Sequence, residues 1–246
     1  MNPGRCLIDG LGLGPAYHDL WWRIAARRRV VITDWSRRHQ ALFIHVPKAA
    51  GLSVYQALGM DRPPDTHAPA AACRVADAAV FDTAYKFAVV RNPWDRLVSA
   101  YHYLSQSSAF PQDRQWAQKR LAAAPDFGQF LAALQSPWRR NQIMGWRHFL
   151  TQKSFLEVDG GIAVDRLIPF QALNDGLADV AREIGVALQP AHVNKSKRGD
   201  YRRYYTDEGA ELVAKIYQDD IALTGAAFDD PASSDRWFCL RRSTAA

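Results

Sequence analysis

Residues 41–53 read ALFIHVPKAAGLS, and this stretch decides the fold. Its first six residues form an apolar run with β-branched and aromatic members, which predicts a short buried strand. Pro47 ends the strand, a loop of small residues continues through Gly51, and a helix is predicted to begin at Ser53. The stretch therefore predicts a strand, a small-residue loop and a helix in direct succession.

A second unit of the same kind follows further along the chain. Residues 86–90 (KFAVV) predict another buried strand, which ends at Arg91. Asn92 suits the N-cap of a helix, and Pro93 suits its first position. Asp95 falls at the third position, where its negative charge suits the helix dipole.

The remaining chain keeps this alternation of strands and helices. Residues 112–150 predict helices with breaks near Pro125 and Pro137, and residues 164–169 predict a third strand. Two more helices are predicted, one ending at Gly185 and one capped by Thr206. This alternation predicts an α/β fold with a central, mainly parallel sheet flanked by helices, in a single domain.

The bulk composition is that of an ordinary globular protein with a basic balance. The chain has 246 residues, of which 48% are hydrophobic and 23% charged, and its formal net charge is +6. This charge favours anionic ligands, although it also suits a protein that is merely well solvated. The three cysteines (Cys6, Cys73 and Cys239) are far apart and form no CxxC pair, so we expect neither a zinc knuckle nor a disulfide framework.

The chain shows no targeting or membrane-spanning pattern. Its first 20 residues lack the continuous apolar stretch of a signal peptide. No run approaches the roughly 20 apolar residues that a transmembrane helix needs. We therefore expect a cytoplasmic location, with peripheral membrane contact left open.

The loop at residues 48–53 has the features of an anion site. Ligands of open parallel sheets bind at the carboxyl ends of the strands, where this loop lies. Its small residues expose backbone N–H groups at a helix N-terminus, and Lys48 adds a mobile positive charge. The lysine precedes Gly51 instead of following it, and no serine or threonine comes next to hold magnesium, which disfavours a nucleoside-triphosphate kinase. A plain strand-to-helix turn with an exposed lysine is the structural alternative.

Arg91 and Ser99 form a second candidate anion site. Arg91 ends a strand that points toward the same crevice, and its planar fork can bind a phosphate through two hydrogen bonds. Ser99 follows two helical turns later and could donate its hydroxyl proton to the same phosphate. The alternative is that Arg91 pairs with Asp95 while Ser99 only packs in the helix.

Taken together, the two segments resemble sulfotransferases that use 3′-phosphoadenosine-5′-phosphosulfate (PAPS), in particular the Golgi-type carbohydrate sulfotransferases and their bacterial relatives. Residues 90–101 match the 3′-phosphate motif of that family nearly throughout. The matches in the phosphosulfate loop are His45, Val46, Pro47, Lys48, Gly51 and Ser53. The similarity continues at residues 167–173, 192–196 and 204–208, so that it covers roughly residues 41–228.

The resemblance implies a P-loop-NTPase-like three-layer α/β fold. It implies a sulfotransferase domain over residues 41–246, preceded by an N-terminal extension at 1–40 to which we assign no role. It also implies that PAPS is the cosubstrate, that no metal is needed, and that the acceptor is a hydroxyl group, most readily on a glycan or glycoconjugate.

The resemblance further assigns roles to the residues of the two motifs. The 5′-phosphosulfate would be held by Lys48, Ala49, Ala50, Gly51, Leu52 and Ser53. The 3′-phosphate would be held by Arg91 and Ser99, and Lys48 would also act in catalysis by balancing charge on the leaving phosphate oxygen. Ala49 and Leu52 stand where the family usually has threonines, and Gln171 stands where it usually has a glutamate.

His67 is the predicted catalytic base, since histidine accepts a proton readily near neutral pH. It lies between the first loop–helix unit and the Arg91 strand, the interval in which related carbohydrate sulfotransferases place a catalytic histidine. His45, within a predicted buried strand, and His102, on the second helix, are the rival candidates.

Three alternatives to a sulfotransferase stay open from the sequence. One is a non-catalytic nucleotide- or glycan-binding relative, which the missing threonine hydroxyls would fit, and another is a nucleotide-dependent kinase of related fold. The third is a nucleic-acid module, suggested by basic residues and tyrosines at 195–205. We expect no nucleic-acid partner, and favour a segment that covers the nucleotide or meets an acidic acceptor.

Overall fold

The central sheet of the computed structural model consists of three parallel strands in the order β1 (Ala41–Phe43), β2 (Tyr85–Val90) and β5 (Arg166–Pro169). The structure describes residues 14–28, 31–63, 66–107, 110–189 and 199–229. Strand β2 lies in the middle, and its residues from Phe87 onward are fully buried. A continuous apolar run is what a parallel strand covered on both faces requires.

Helices flank this sheet, which confirms the predicted α/β class. The described helices are α1 (Gly14–Ala25), α2 (Asp34–His39), α3 (Gly51–Ala57), α4 (Ala70–Ala76), α5 (Ala78–Thr83), α6 (Pro93–His102), α7 (Pro111–Arg120), α8 (Phe127–Gln135), α9 (Pro137–Met144), α10 (Lys153–Leu156), α11 (Leu173–Glu183), α12 (Asp207–Ile216) and α13 (Gln218–Thr224). Strands β3 (Glu157–Val158) and β4 (Gly161–Ile162) form a separate antiparallel pair. None of the described helices is long and apolar enough to cross a membrane.

The residues predicted to cap helices occupy the cap positions in the structure. The Asn92 side chain accepts hydrogen bonds from the backbone N–H groups of Trp94 and Asp95, and Pro93 opens α6. Thr206 likewise caps α12 by accepting from the N–H of Gly209. Gly185 follows α11 with a φ of 67°, a left-handed conformation that costs glycine little.

Some element boundaries differ from the predictions. Strand β1 ends at Phe43 and not at residue 46, although the Ile44 N–H still donates to the Phe87 carbonyl at 2.9 Å. Helix α3 begins at Gly51, two residues earlier than predicted. Pro137 opens α9 in the first-turn position, where its missing N–H costs nothing, and so marks a helix start as well as a break.

Two hydrophobic clusters stabilise the fold. The first surrounds the sheet and includes Trp22 and Trp35, which come from the predicted N-terminal extension, together with Ile44 of the sheet region. The second lies among α6, α7, α8 and α12. The predicted similarity segment 192–196 and residues 195–198 of the basic stretch fall outside the described residues, as do Cys6 and Cys239.

Arg96 connects the second cluster to the segment 148–150 and to α13, which carries Asp220. It is the largest fully buried side chain among the described residues. Its guanidinium donates to the carbonyls of His148 and Leu150 at 3.4 and 2.6 Å, and Nη2 lies 3.6 Å from the buried carboxylate of Asp220. The two hydrogen bonds hold α6 against the segment that carries His148. Removing one partner of the buried ion pair would leave an uncompensated charge, which is strongly destabilising.

Candidate active site

The two segments predicted to bind anions meet in the structure. They follow β1 and β2, which are adjacent parallel strands, at the carboxyl ends of both. The Arg91 Nη1 donates a hydrogen bond to the backbone carbonyl of Lys48 at 3.1 Å. This contact joins residues 43 positions apart in the chain and places both candidate sites in one crevice.

Arg91 is held firmly at the start of the α6 segment. Its Nε donates to Asp95 Oδ2 at 2.6 Å, so the carboxylate pairing weighed from the sequence is present. Its guanidinium carbon lies 4.1 Å from the centroid of the Phe170 ring. The Gln152 side chain holds the Arg91 backbone through a hydrogen bond to each of its peptide groups, at 2.9 and 2.8 Å. An anion arriving here would meet a guanidinium whose direction is already fixed.

The Lys48 loop carries backbone strain at two non-glycine residues. Lys48 has a φ of 67° and Ala50 a φ of 60°, both in the left-handed region that side chains with a Cβ disfavour. Strain of this kind is stored preferentially at functional sites. Ala49 is fully buried and Ser53 nearly so, whereas Leu52 projects outward with 49% of its surface exposed.

The Lys48 ammonium rests on an aromatic ring. Its Nζ lies 3.9 Å from the centroid of Tyr103, which begins a π-helical turn (Tyr103–Ser107) at the end of α6. A cation over an aromatic face is favourable by about 0.5–1 kcal/mol at an exposed site. This contact directs the lysine toward the end of α6, on which half-buried Ser99 also lies.

His45 and Gly51 fit against each other below this loop. A Cβ built on Gly51 would lie 1.7 Å from His45 Nε2, so only glycine fits here. Burial lowers the pKa of His45 to about 3, and the positive charges of Arg62, His148 and Lys48 add to the effect. His45 is therefore neutral at physiological pH, which suits a packing role.

His67, the predicted base, lies next to His45. The two rings are 4.3 Å apart between centroids, and the Nδ1 of His67 is 3.3 Å from the His45 carbonyl. Since a carbonyl only accepts, this contact favours a proton on Nδ1 and a lone pair on Nε2. Burial is the main reason that the pKa of His67 is held well below its ordinary value, and the nearby His45, His148 and Arg147 make a further positive charge unfavourable. The ring is half-buried, so a ligand can reach it while it is neutral.

A group of residues that the sequence analysis missed lies against His67. Asp113 is fully buried and accepts hydrogen bonds from Tyr103 Oη at 3.1 Å, from Arg147 Nη2 at 2.7 Å and from His148 Nε2 at 3.1 Å. The centroid of His148 is 5.7 Å from that of His67. These residues lie between positions 103 and 148 on separate elements, and no local sequence pattern singles them out.

The other candidates lie elsewhere. The ring contacts of His102 are with Tyr101 and Tyr204, at 5.5 and 5.0 Å between centroids. Gln171 is exposed in a short 3-10 turn after β5. In the part of the chain that the structure describes, no group of three or more histidine, cysteine, aspartate or glutamate side chains could hold a metal ion.

A parallel α/β sheet with a strained lysine loop and a fixed arginine at the carboxyl ends of adjacent strands is typical of proteins that bind phosphate-bearing ligands at that edge. A model of the sulfotransferase family matches residues 33–223, well over half of the chain. The chain therefore belongs to the sulfotransferase family, whose members transfer sulfuryl groups and generally take them from PAPS. Comparison of the chain with curated proteins and with solved structures found no match.

Proposed function

We propose that this protein transfers the sulfuryl group of PAPS to a hydroxyl group of a glycan or glycoconjugate. The observation that carries this proposal is the hydrogen bond between Arg91 and the Lys48 carbonyl, since it brings the two family motifs into one crevice. Family membership supplies the reaction type, and the geometry supports the division of the donor between the two motifs.

In this proposal the donor nucleotide spans the edge of the sheet. Lys48 and the loop from Ala49 to Ser53 hold the 5′-phosphosulfate with backbone N–H groups and the lysine charge. Arg91 and Ser99 hold the 3′-phosphate. Ala49 and Leu52 contribute no hydroxyls, so binding at the loop falls to the backbone, which the left-handed conformations of Lys48 and Ala50 orient.

Transfer proceeds by in-line displacement at sulfur. The bond between the acceptor oxygen and sulfur forms as the bond from sulfur to the 5′-phosphate oxygen breaks, and that oxygen leaves with the electron pair. As in phosphoryl transfer, positioning and electrostatic stabilisation account for most of the rate enhancement. Lys48 balances the charge that develops on the leaving oxygen, and no metal is required.

His67 takes the proton of the acceptor hydroxyl through Nε2. The hydrogen bond from Nδ1 to the His45 carbonyl leaves that lone pair available. A lowered pKa keeps the ring neutral, and therefore able to accept a proton, even in mildly acidic solution. We further propose a cytoplasmic location with peripheral membrane contact left open, and no nucleic-acid partner.

Calorimetric titration with 3′,5′-adenosine bisphosphate, beside 5′-AMP and ATP-magnesium, tests the donor site. We expect the bisphosphate to bind most tightly, and Arg91→Ala to remove that preference. The matched control is Arg182→Ala, since Arg182 is on the surface with 76% of its side chain exposed and pairs only at the surface with Asp179. No preference for the bisphosphate in the wild-type protein would refute the proposal, and phosphate transfer from ATP-magnesium would favour a kinase.

A relative that binds the nucleotide without turnover is the second candidate. The absence of hydroxyls at Ala49 and Leu52 is the observation that favours it. Tight binding of PAPS with no transfer to any hydroxyl compound in an acceptor screen would support this candidate over an enzyme.

A further inference from the structure

Asp113 and its three donors form a buried polar group that the proposed mechanism does not use. This Asp113 group consists of Tyr103, Asp113, Arg147 and His148. It joins the π-helical turn after α6, helix α7 and the turn after α9. A fully buried carboxylate with three donors has its hydrogen-bonding capacity well used, so the group has a fixed geometry.

The charge on Asp113 determines which nitrogen of His148 carries the proton. Burial alone would raise the pKa of Asp113, but the hydrogen bond from His148, together with the charge of Arg147 and its hydrogen bond, lowers it to about 2. An ionised carboxylate only accepts, so His148 Nε2 must be the protonated nitrogen. Nδ1 of a neutral His148 then carries a lone pair.

That lone pair has no partner. His148 is 4% exposed, and no described residue forms a hydrogen bond with its Nδ1. Buried acceptors without a donor are uncommon in native proteins, and each one calls for an explanation.

His67 is the neighbour that could supply it. The two rings pack edge to face with 5.7 Å between centroids. In the resting state His67 uses Nδ1 for the His45 carbonyl, so it has no second proton to give. Once His67 has taken the proton of an acceptor hydroxyl, both of its nitrogens carry protons, so the ring has gained the second donor that the lone pair of His148 requires.

We propose that His148, oriented by Asp113, is a positioning residue for the base and receives a hydrogen bond from His67 when His67 is protonated. This inference rests on the proposed function, because it assumes that His67 is the base. The acceptor O–H bond breaks, its proton moves to His67 Nε2, and the electron pair stays on the oxygen that attacks sulfur. The negative charge of Asp113 then offsets the positive charge that forms on His67, as a buried carboxylate does for a catalytic histidine.

Among the groups that act on the two histidines, Asp113 supplies the negative charge, and it does so through its hydrogen bond with His148. The groups that act on His67 and His148 from the surrounding elements are His45, Lys48, Tyr103, Asp113 and Arg147. Burial, and then the positive charges of Arg147 and Lys48, lower the pKa of His148 to about 4, although Asp113 raises it. Asp113 is the acidic side chain among these groups and raises the pKa of His148. Its removal should therefore make His148 harder to protonate, and should affect His67 through the hydrogen bond proposed here.

Nuclear magnetic resonance of ¹⁵N-labelled histidine side chains tests this inference without an acceptor. Wild type, Asp113→Asn, His148→Gln and the control His39→Gln would each be titrated with acid, alone and with the bisphosphate. We expect His148 as the Nε2–H tautomer, a lower titration midpoint of His67 in both active-site variants, and no change of that midpoint in the control. A His148 that carries its proton on Nδ1, or a His67 midpoint unmoved by Asp113→Asn and His148→Gln, would overturn the proposal.

The same samples separate this inference from the proposed function. Failure of the wild-type protein to bind the bisphosphate would count against the donor site, whereas the histidine tautomer and midpoints report on the pair alone. Asp113→Glu provides a second check, since it keeps the charge. We expect it to restore the His67 midpoint at least partly, and a merely structural role for Asp113 predicts no such rescue.

Discussion

Lys48 is the single residue on which the proposed transfer depends most. We expect Lys48→Ala to lower turnover of PAPS at least about 10²-fold, because a charge aimed at the leaving oxygen is lost. The fold should stay intact, since the lysine lies in a loop and its contact with Tyr103 contributes only about 0.5–1 kcal/mol. Release of the bisphosphate and thermal unfolding measure the two effects. Lys153→Ala, which removes a surface pair with Glu157, is the control, and full turnover of Lys48→Ala would contradict its role.

Substitution of His67 should impair proton transfer without affecting binding of the donor. We expect His67→Ala to lower turnover by about 10²–10⁴-fold while the affinity for the bisphosphate stays the same, because a base acts on the acceptor. Turnover assays and calorimetry on one preparation check both halves, with His39→Ala as the control. A fully active His67→Ala variant would show that another group is the base.

Residues within one contiguous motif could be predicted from the sequence, and residues joined only by tertiary packing could not. Lys48 and Arg91 each follow a recognisable strand, so their meeting at one sheet edge follows from parallel topology. Asp113 and His148 are 35 positions apart, on a helix and in an irregular turn. Their pairing depends on how α7 packs against the turn after α9, which no periodicity reports.

In the unit from β1 to α3, the local sequence determines where the strand lies, whereas tertiary packing determines where the helix begins. The apolar run and Pro47 predict the strand and its end, whereas the start of α3 at Gly51 follows from contact with His45. The His45 ring occupies the space of a side chain at the first helical position. The strained conformation of Ala50, which precedes the helix, likewise has no signature in the sequence.

Gly51→Ala tests this contact. A Cβ at 1.7 Å from His45 Nε2 must displace the ring or the loop, and we expect the free energy of unfolding to fall by about 1–3 kcal/mol. Chemical denaturation measures it, and bisphosphate affinity should fall as well because the loop moves. The control is Gly128→Ala, whose nearest contact to a new Cβ is 3.4 Å, and which should change stability little. Equal stabilities of the two variants would contradict the close contact.

Across the whole molecule, buried charges connect the site to the scaffold. Arg96 lies at the centre of this arrangement, since it contacts the His148 carbonyl and also approaches Asp220. Asp220 in turn accepts from the backbone of Gln152, whose side chain holds Arg91. The family motif therefore contributes one arginine at the crevice, Arg91, and one buried structural arginine, Arg96, and the sequence alone does not show that their surroundings differ.

The same burial predicts how stability depends on pH. The pKa of His45 is lowered to about 3 and that of His148 to about 4, from 6.5, and burial is the main cause for both. In the unfolded chain both rings take up a proton as the pH falls below 6.5, while in the folded protein they stay neutral. Protons therefore favour the unfolded state in this window, and the stability that is fully present above pH 6.5 is lost as the pH falls toward the folded values.

The pKa of His67 is also held well below 6.5, so three histidines contribute. We expect the free energy of unfolding to decrease by roughly 1 kcal/mol per pH unit for each of the three between about pH 6 and pH 4. Urea denaturation of the wild-type protein in steps of one pH unit measures the slope. His148→Gln removes one titrating ring and should reduce that slope by about a third, whatever its effect on stability at neutral pH. A stability that stays constant from pH 7 to pH 5 would mean that the rings are protonated in the folded protein, and the lone pair of His148 could then not await a proton from His67.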